Sequence, residues 1–514
     1  MWRQSLRGLV FAMGMAAAAA PCAELPWFEA GQPTAQAVHA AQVLAAAAEH
    51  GLDPADYDAA ALQARLGAAS GHRAAEDEQH RLGAALTAAL RRYLADLQTG
   101  RIDPREMYPR LDVPRRTPAD TLITLSEAVV GGRLPQVLRE AVPRLPMYDG
   151  LREALARYRG LADHPAWRMS LPSLPGRKLA AGQAYAGLAL LARRLEVLGD
   201  LPGGEAVPDR FEEPLVTALQ SFQERHGLAP DGVLGAATLE ALNVTPAARE
   251  RQIELALERL RWTPFLQEPR MIVVNVPEFT LRAYEVRDGR IDVQLTMRVI
   301  VGKALRTSTP LLSETMRLIE FSPYWNVPPS IARGETVPRL RRDPGHLERE
   351  GFEFVTPSGQ VVTTMAASHL DAVLRGGWRI RQRPGADNAL GGVKFVFPNN
   401  ANIYLHDTPS RQLFERERRD FSHGCIRVQA PVALAQFVLQ DDPGWTLERI
   451  RTAMDAGVSS THRLRHPVPV LIAYGTVIVR AGTVFFYRDL YGLDAVLDRA
   501  LRRRAGRLPP LIER

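Results

Sequence analysis

Cysteine is almost absent: 514 residues carry two, Cys22 and Cys425. A fold stapled by disulfides is thereby excluded. Lysine is nearly as scarce, confined to Lys178, Lys303 and Lys394, so arginine carries the net charge of +7 and the pI of about 9.6. Such a surface suits an anionic partner and does not choose among nucleic acid, membrane and cell wall. Helix-turn-helix, zinc-finger and RNA-binding signatures are missing, so no nucleic-acid partner is expected, and Arg502, Arg503, Arg504 and Arg507 read as a solvated basic tail. No cofactor is implied either. His406, His423 and Cys425 match no familiar zinc spacing, and His226 has no partner ligands near it, so it is expected to cap or pack. The apolar run Leu9–Ala20 falls short of the roughly 20 residues that span a bilayer.

What is present starts with export. Arg3 and Arg7 precede that run and Pro21-Cys22-Ala23-Glu24 follows it, the pattern of a signal peptide over 1–23, with an uncleaved anchor in the inner membrane as the other reading. Pro21 argues against lipidation of Cys22. Removal of 1–23 leaves Cys425 as the sole thiol, and an exported protein that keeps one cysteine points to a catalytic thiol.

The length allows about three domains. Residues 24–200 are Ala- and Leu-rich with helical periodicity: Leu82, Leu86, Leu90, Tyr93, Leu94 and Leu97 recur on one face, Gly100 marks a stop, and Pro54 marks a helix start. Tyr148–Leu161 and Tyr185–Leu198 read as further helices. Residues 202–210 form a Gly/Pro-rich linker. Over 205–245, Leu215, Leu219 and Phe222 share a helix face ahead of the turn Asp231-Gly232 and a second helix to Asn243. Beyond Arg270 the period becomes that of strands, with Asp288-Gly289 marking a hairpin. This mostly-β region, 270–487, is expected to form a sandwich, interrupted by an insertion over 322–390. An insertion of that length reads as a lid, a binding loop or a disordered segment. Helices are expected over Pro431–Leu439 and Trp445–Ala456, a last hairpin from Val470 to Tyr487 about Ala481-Gly482, and a terminal helix within 488–514.

The chemistry concentrates in Ser422-His423-Gly424-Cys425, separated from His406 by fifteen residues. A thiol needs a neighbouring base to become a good nucleophile. His406, ending an apolar strand, is the expected base, which would give a thiolate–imidazolium pair. His423, two residues before the sulfur, is expected on the same face. Gly424 would let backbone N–H groups approach a bound carbonyl as an oxyanion hole, with Ser422 orienting the turn. Arg427 either meets a substrate carboxylate or pairs with an acid of the fold. Tyr324 and Trp325 either contact substrate or anchor the insertion, and Asn388 closes the same insertion.

This His-(15 residues)-Ser-His-Gly-Cys pattern, followed by Ile426-Arg427-Val428, resembles the signature of YkuD-type L,D-transpeptidases, cysteine enzymes of peptidoglycan. Segments Leu94–Arg101 and Leu198–Leu201 look like the scaffold of the long YcbB-like subfamily of Gram-negative bacteria, 322–390 matches its capping insertion, and 205–245 resembles peptidoglycan-binding domain 1. The resemblance implies a multidomain α+β protein with a helical scaffold, a three-helix peptidoglycan-binding module and a catalytic sandwich. It further implies a periplasmic enzyme of wall biogenesis and cell shape, inhibited by carbapenems, that joins tetrapeptide stems by 3→3 diaminopimelate–diaminopimelate cross-links with release of D-Ala. Its partners would be stem peptides and other cell-wall enzymes, with Tyr324, Trp325, Asn388 and Arg427 among the substrate-binding residues. Three rivals stay open. A cysteine hydrolase of stem peptides, an L,D-carboxypeptidase, uses the same chemistry with water as acceptor, although NlpC/P60-like enzymes place the Cys before the His, the reverse of the order here. A non-enzymatic wall-binding protein leaves His406 and Cys425 unused, and a zinc amidase is disfavoured by the ligand spacing. The 205–245 module either binds wall or braces its neighbours.

Overall fold

The computed structural model describes residues 25–111, 118–204, 206–263 and 268–512. The expected signal or anchor segment 1–23 lies outside them, and no described helix is long and apolar enough to cross a membrane. The chain is a multidomain α+β protein, with a helical N-terminal region, a small helical module and a C-terminal region built on one large sheet.

Helical periodicity dictates the N-terminal elements. Helix Glu76–Thr99 buries Leu82, Leu86, Leu90, Tyr93, Leu94 and Leu97 along one stripe and stops at Gly100, whose φ is 81°. Pro54 opens a 3₁₀ turn, Pro54–Tyr57, rather than a long helix; the Asp53 side chain caps it by accepting from Ala55 N. In the small module, Gln223 holds the glycine turn together. Its Nε2 donates to Asp231 Oδ1 and to the Val233 carbonyl, both at 2.9 Å, while its Oε1 accepts from Gly232 N at 2.9 Å. His226 packs: its ring stacks on Phe222 with centroids 3.8 Å apart.

The module does not begin at 205. Arg194, on helix Leu188–Leu198, is buried and donates to the carbonyls of Ala166 and Leu242 and to Asn243 Oδ1, and strand Lys178–Leu179 pairs with Leu234–Gly235. Residues 202–204 and 206–210 lie between buried Leu201 and Phe211, both part of one shared core. One hydrophobic core passes through scaffold, module and the hairpin Val477–Arg480/Thr483–Phe486, so the units share an interior. Helix Pro246–Arg261 ties this core to that of the sheet: Leu257 faces the first and Leu255 the second. Its Glu258 is fully buried and accepts from Ile102 N, Arg101 Nε and Arg261 Nη1, each at 3.1 Å. A buried carboxylate is tolerable only with that degree of pairing.

The large sheet has nine strands: β1 Arg270–Asn275, β2 Thr280–Arg287, β3 Arg290–Gly302, β4 Leu312–Phe321, β5 Val393–Val396, β6 Leu405–His406, β7 Asp420–Ser422, β8 Ile426–Val428 and β9 Ser460–Ala473. Their spatial order is β7-β3-β8-β6-β5-β4-β9-β1-β2. The 13-residue β3 also pairs with β2 through its first part, from Arg287↔Arg290 to Thr280↔Arg298, and with β8 through Val299 and Ile300. The expected sandwich is therefore one sheet closed on itself through β3. Asp288 (φ 51°) and Gly289 (φ 71°) make the tight β2–β3 turn, both in the left-handed region that a two-residue hairpin requires. Residues Val470–Ala473 belong to β9 in this sheet, and the final hairpin is shorter than the sequence suggests.

The insertion is a folded subdomain, not a loop. Strands Trp325–Asn326, Phe352–Val355, Val361–Val362 and Arg379–Gln382 form a sheet over a core that includes Val327, Leu340, Phe354, Leu370 and Ile380. Trp325 packs against that core. The C-terminal arginines are likewise not all solvated. Arg504 bonds both Asp96 oxygens, at 2.7 and 2.8 Å, docking the terminal helix Leu493–Ala505 on the scaffold.

Candidate active site

Sheet register builds the site. Strands β6 and β8 run parallel, with Leu405 opposite Ile426 and His406 opposite Arg427. Side chains alternate along strands, so Leu405 and Ile426, both fully buried, enter the core while His406 and Arg427 share the other face. Tyr404 and Cys425, two residues earlier on each chain, fall on that same face. Register continues the row to Lys394 on β5 and Glu320 on β4. Lys394 Nζ is 3.0 Å from Glu320 Oε2 and 4.7 Å from the Tyr404 ring centroid.

The turn from β7 to β8 that presents Cys425 is held by short polar side chains. Ser422 Oγ donates to the Cys425 carbonyl at 2.5 Å and accepts from Gly424 N at 3.1 Å. Thr307 Oγ1 donates to the Ser422 carbonyl at 3.0 Å, and Thr309 Oγ1 donates to the Gly424 carbonyl at 2.8 Å. Gly302 is obligatory beside this turn: a Cβ there would lie 1.9 Å from the Thr307 carbonyl oxygen. Gly424 has φ +118°, a conformation that side chains rarely adopt. Its N–H is committed to Ser422 Oγ.

Cys425 is half-buried, and its Sγ donates to the Asn402 carbonyl at 3.5 Å. Burial pushes the thiol pKa up, against hydrogen bonds from the Tyr404 backbone and hydroxyl and the positive charges of Lys394 and Arg427. His406 is buried, and its Nδ1 lies 2.5 Å from the Asp407 carbonyl oxygen. A carbonyl only accepts, so the proton sits on Nδ1 and Nε2 keeps its lone pair, the tautomer a general base needs. Burial first, then Arg427, lowers the imidazole pKa to about 3. The Asp407 carboxylate fixes this corner: Oδ1 accepts from Thr408 N at 2.7 Å and Arg411 Nη2 at 2.5 Å, and Oδ2 from Gly392 N at 3.0 Å. The resting thiol and imidazole are consequently both neutral, where the sequence had suggested an ion pair.

The other sequence candidates are placed differently. His423 is exposed and engages the insertion, with Nε2 2.7 Å from Glu335 Oε1. Alternation puts residues two apart on one face only in extended chain, and Gly424 breaks that between His423 and Cys425. Asn388 is 1% exposed and spent on backbone: Nδ2 donates to the carbonyls of Pro323 (3.1 Å) and Arg383 (2.9 Å), and Oδ1 accepts from Leu390 N (2.8 Å). It clasps the base of the insertion and has nothing left for a substrate. Tyr324 lies under the Arg381 guanidinium, 4.1 Å from ring centroid to carbon. Arg427 faces the site, with a buried Nε that has no hydrogen-bond partner among the described residues. Sequence reasoning missed Tyr404, Lys394, Thr307, Thr309 and Glu335. Tyr404 alone carried a local signal, since it stands two residues before His406 on the same strand.

Comparison with known proteins finds matches along most of the chain. Residues 269–456 match the YkuD L,D-transpeptidase catalytic domain, residues 23–155 a scaffold domain, and residues 186–242 a peptidoglycan-binding domain family. The match from 186 takes in the helix that Arg194 anchors. A curated relative from Haemophilus influenzae (strain ATCC 51907 / DSM 11121 / KW20 / Rd), named "Putative L,D-transpeptidase", is 32% identical over 278 residues, which is 53% of this chain and 55% of that protein. The chain thus spans about half the length of that relative. A solved fused Zn-dependent amidase/peptidase/peptidoglycan-binding protein from Clostridium acetobutylicum ATCC 824 aligns over 58% of this chain and 99% of its own at 12% identity, with a TM-score of 0.18, too low to carry an argument. Residues 269–456 of this chain are thus similar to an L,D-transpeptidase catalytic domain, preceded by regions that match a scaffold domain and a peptidoglycan-binding domain.

Proposed function

We propose that the protein forms 3→3 cross-links in peptidoglycan through a Cys425 acyl-enzyme. The observation that carries this reading is the single sheet face bearing Tyr404, His406, Cys425 and Arg427, with the proton of His406 held on Nδ1. Cys425 Sγ attacks the carbonyl between diaminopimelate and the terminal D-Ala of a tetrapeptide stem. The thiol proton passes to His406 Nε2 as the S–C bond forms, because burial disfavours a thiolate in advance. His406 then gives that proton to the departing D-Ala amine as the C–N bond breaks, leaving a thioester. The side-chain amine of a second diaminopimelate attacks the thioester, passing a proton to His406 and returning the thiol. With Gly424 N–H engaged by Ser422, the Cys425 N–H is the backbone donor we assign to the oxyanion. Arg427, positively charged and short of partners, is assigned to a substrate carboxylate.

Domains that act on peptidoglycan indicate an extracytoplasmic location, and we propose the periplasm. Water competes for any thioester, so a transferase must shield it. The capping subdomain over 322–390, tied to the cysteine turn by Glu335–His423, suits that task. Purified tetrapeptide muropeptides incubated with the protein should give released D-Ala and cross-linked dimer by mass spectrometry, and Cys425→Ala should give neither. Tripeptide alone at saturating acceptor would make the enzyme an L,D-carboxypeptidase.

A further inference from the structure

A cleft of about 900 Å³ separates the peptidoglycan-binding module from the catalytic sheet. One wall comes from the module's turn at His226–Pro230 and helix Pro246–Arg261. The other comes from Pro277–Thr280 and from segment 415–419, which runs directly into β7 and the cysteine turn. The walls are rigid. His226 is stacked between Phe222 and Phe486, and a Cβ on Gly227 would lie 2.8 Å from Tyr487.

Of the eight arginines that line this cleft, Arg249 and Arg419 stand on opposite sides, and neither makes an ion pair among the described residues. Arg249 lies 4.6 Å over the Phe486 ring and donates to Gln252 Oε1 (2.8 Å) and the Ala241 carbonyl (3.4 Å). Arg419 lies 5.1 Å over the Phe279 ring and donates to the carbonyls of Arg416 (2.8 Å) and Phe279 (3.5 Å), while its Nε is buried with no hydrogen-bond partner. The carboxylates nearest Arg419 are already engaged: Glu415 by Arg298 at 2.6 Å and Glu278 by Arg282 at 2.8 Å. Burial lowers both pKa values to about 10, which leaves both groups charged near neutral pH. A guanidinium stripped of water and given only neutral acceptors is poised for a carboxylate, the partner with which it makes its strongest, bidentate bonds. Acids and arginines otherwise alternate around the cleft, so recognition would come from these two sites and not from net field.

We propose that this cleft is a second peptide site, in which Arg249 and Arg419 hold the carboxylates of a stem peptide while another stem is processed at Cys425. The identity of the peptide rests on the L,D-transpeptidase reading; the carboxylate chemistry does not. The test uses the full chain with Cys425 blocked by iodoacetamide, which removes turnover. It is repeated with Arg427→Met, in which amidation-sensitive binding should persist; its loss there would place the carboxylate at the thiol site and overturn the proposal. Soluble disaccharide-tetrapeptide is titrated by calorimetry, beside the same compound with its carboxylates amidated. The acid form should bind saturably, and amidation should weaken it about tenfold or more. Arg419→Met and Arg249→Met should each weaken it similarly, Arg249→Lys less, and remote Arg341→Ala not at all. Equal affinity of acid and amidated peptides, or unchanged affinity in both Met variants, would overturn the proposal, as would binding that follows the disaccharide alone. The amidation arm needs no variant, so a variant that misfolds leaves the test intact. A protein that binds as stated yet makes no cross-links would overturn the transpeptidase reading and leave the carboxylate site standing.

Discussion

The resting charge of the Cys425/His406 pair can be read from the rate at which the thiol takes iodoacetamide. Burial holds the Cys425 pKa above its ordinary value of 9.0. A thiol with a pKa of 9 or more is thiolate in at most about 1 molecule in 100 at pH 7, and that fraction grows about tenfold per pH unit below the pKa. His406 moves the other way, to about 3, because burial and Arg427 both disfavour imidazolium. From above pH 3 to below pH 9 the dominant form is therefore neutral thiol beside neutral imidazole. The second-order alkylation rate should climb about 100-fold from pH 6 to pH 8 with no plateau. His406→Ala should leave that profile within about twofold, since His406 does not set the resting thiolate fraction. The same variant should slow acylation by a tetrapeptide stem by about 10²–10⁴, the usual worth of a positioned general base. A profile flat from pH 5 to 8, shifted upward in His406→Ala, would mean a preformed thiolate–imidazolium pair and would refute the reasoning.

Asn388→Ala should destabilise the protein by about 2–4 kcal/mol, because it leaves several buried backbone groups without partners; urea unfolding followed by tryptophan fluorescence measures this. A raised KM with unchanged stability would return Asn388 to the substrate site. Glu335→Gln should lower the ratio of cross-linked dimer to tripeptide by about 1.5- to 5-fold, as expected for a partly exposed pair worth about 0.2–1 kcal/mol, without changing iodoacetamide reactivity. The product ratio by mass spectrometry decides, and an unchanged ratio removes the Glu335–His423 contact from any role in shielding.

Local signals were read well from sequence and nonlocal ones were not. Asp288-Gly289 announces its turn because the backbone at those two residues must be left-handed, and Pro431–Leu439 is a helix over the residues expected. Cys425 and His406 stand out as a motif, but their setting depends on the parallel register of β6 on β8, which no short window contains. Tyr404 and Lys394 enter the site only through that register. His423 misled because alternation was assumed across Gly424, whose φ breaks it. Asn388 misled because a polar residue in a long insertion reads as exposed, whereas the insertion builds its own core and uses Asn388 to close it. Arg194 hid the start of the module, since a lone arginine in a helix gives no hint of carbonyls gathered around it.

The interior shared by scaffold, module and hairpin has a mechanical consequence. Excising 205–245 would strip Leu215, Leu219, Phe222, Leu234 and Leu242 from it. At about 2–5 kcal/mol for each large buried side chain lost, the five sum to about 10–25 kcal/mol, comparable to or larger than the roughly 5–15 kcal/mol by which a folded domain is stable. The module is thus no bead on a flexible string. A slack tether spreads its effective concentration over many distances, while a stiff one concentrates it at a single span and withholds it from the rest. A wall polymer gripped by the module would meet the thiol at one set spacing, so the fold itself would act as the ruler that chooses which stem along the polymer is reached.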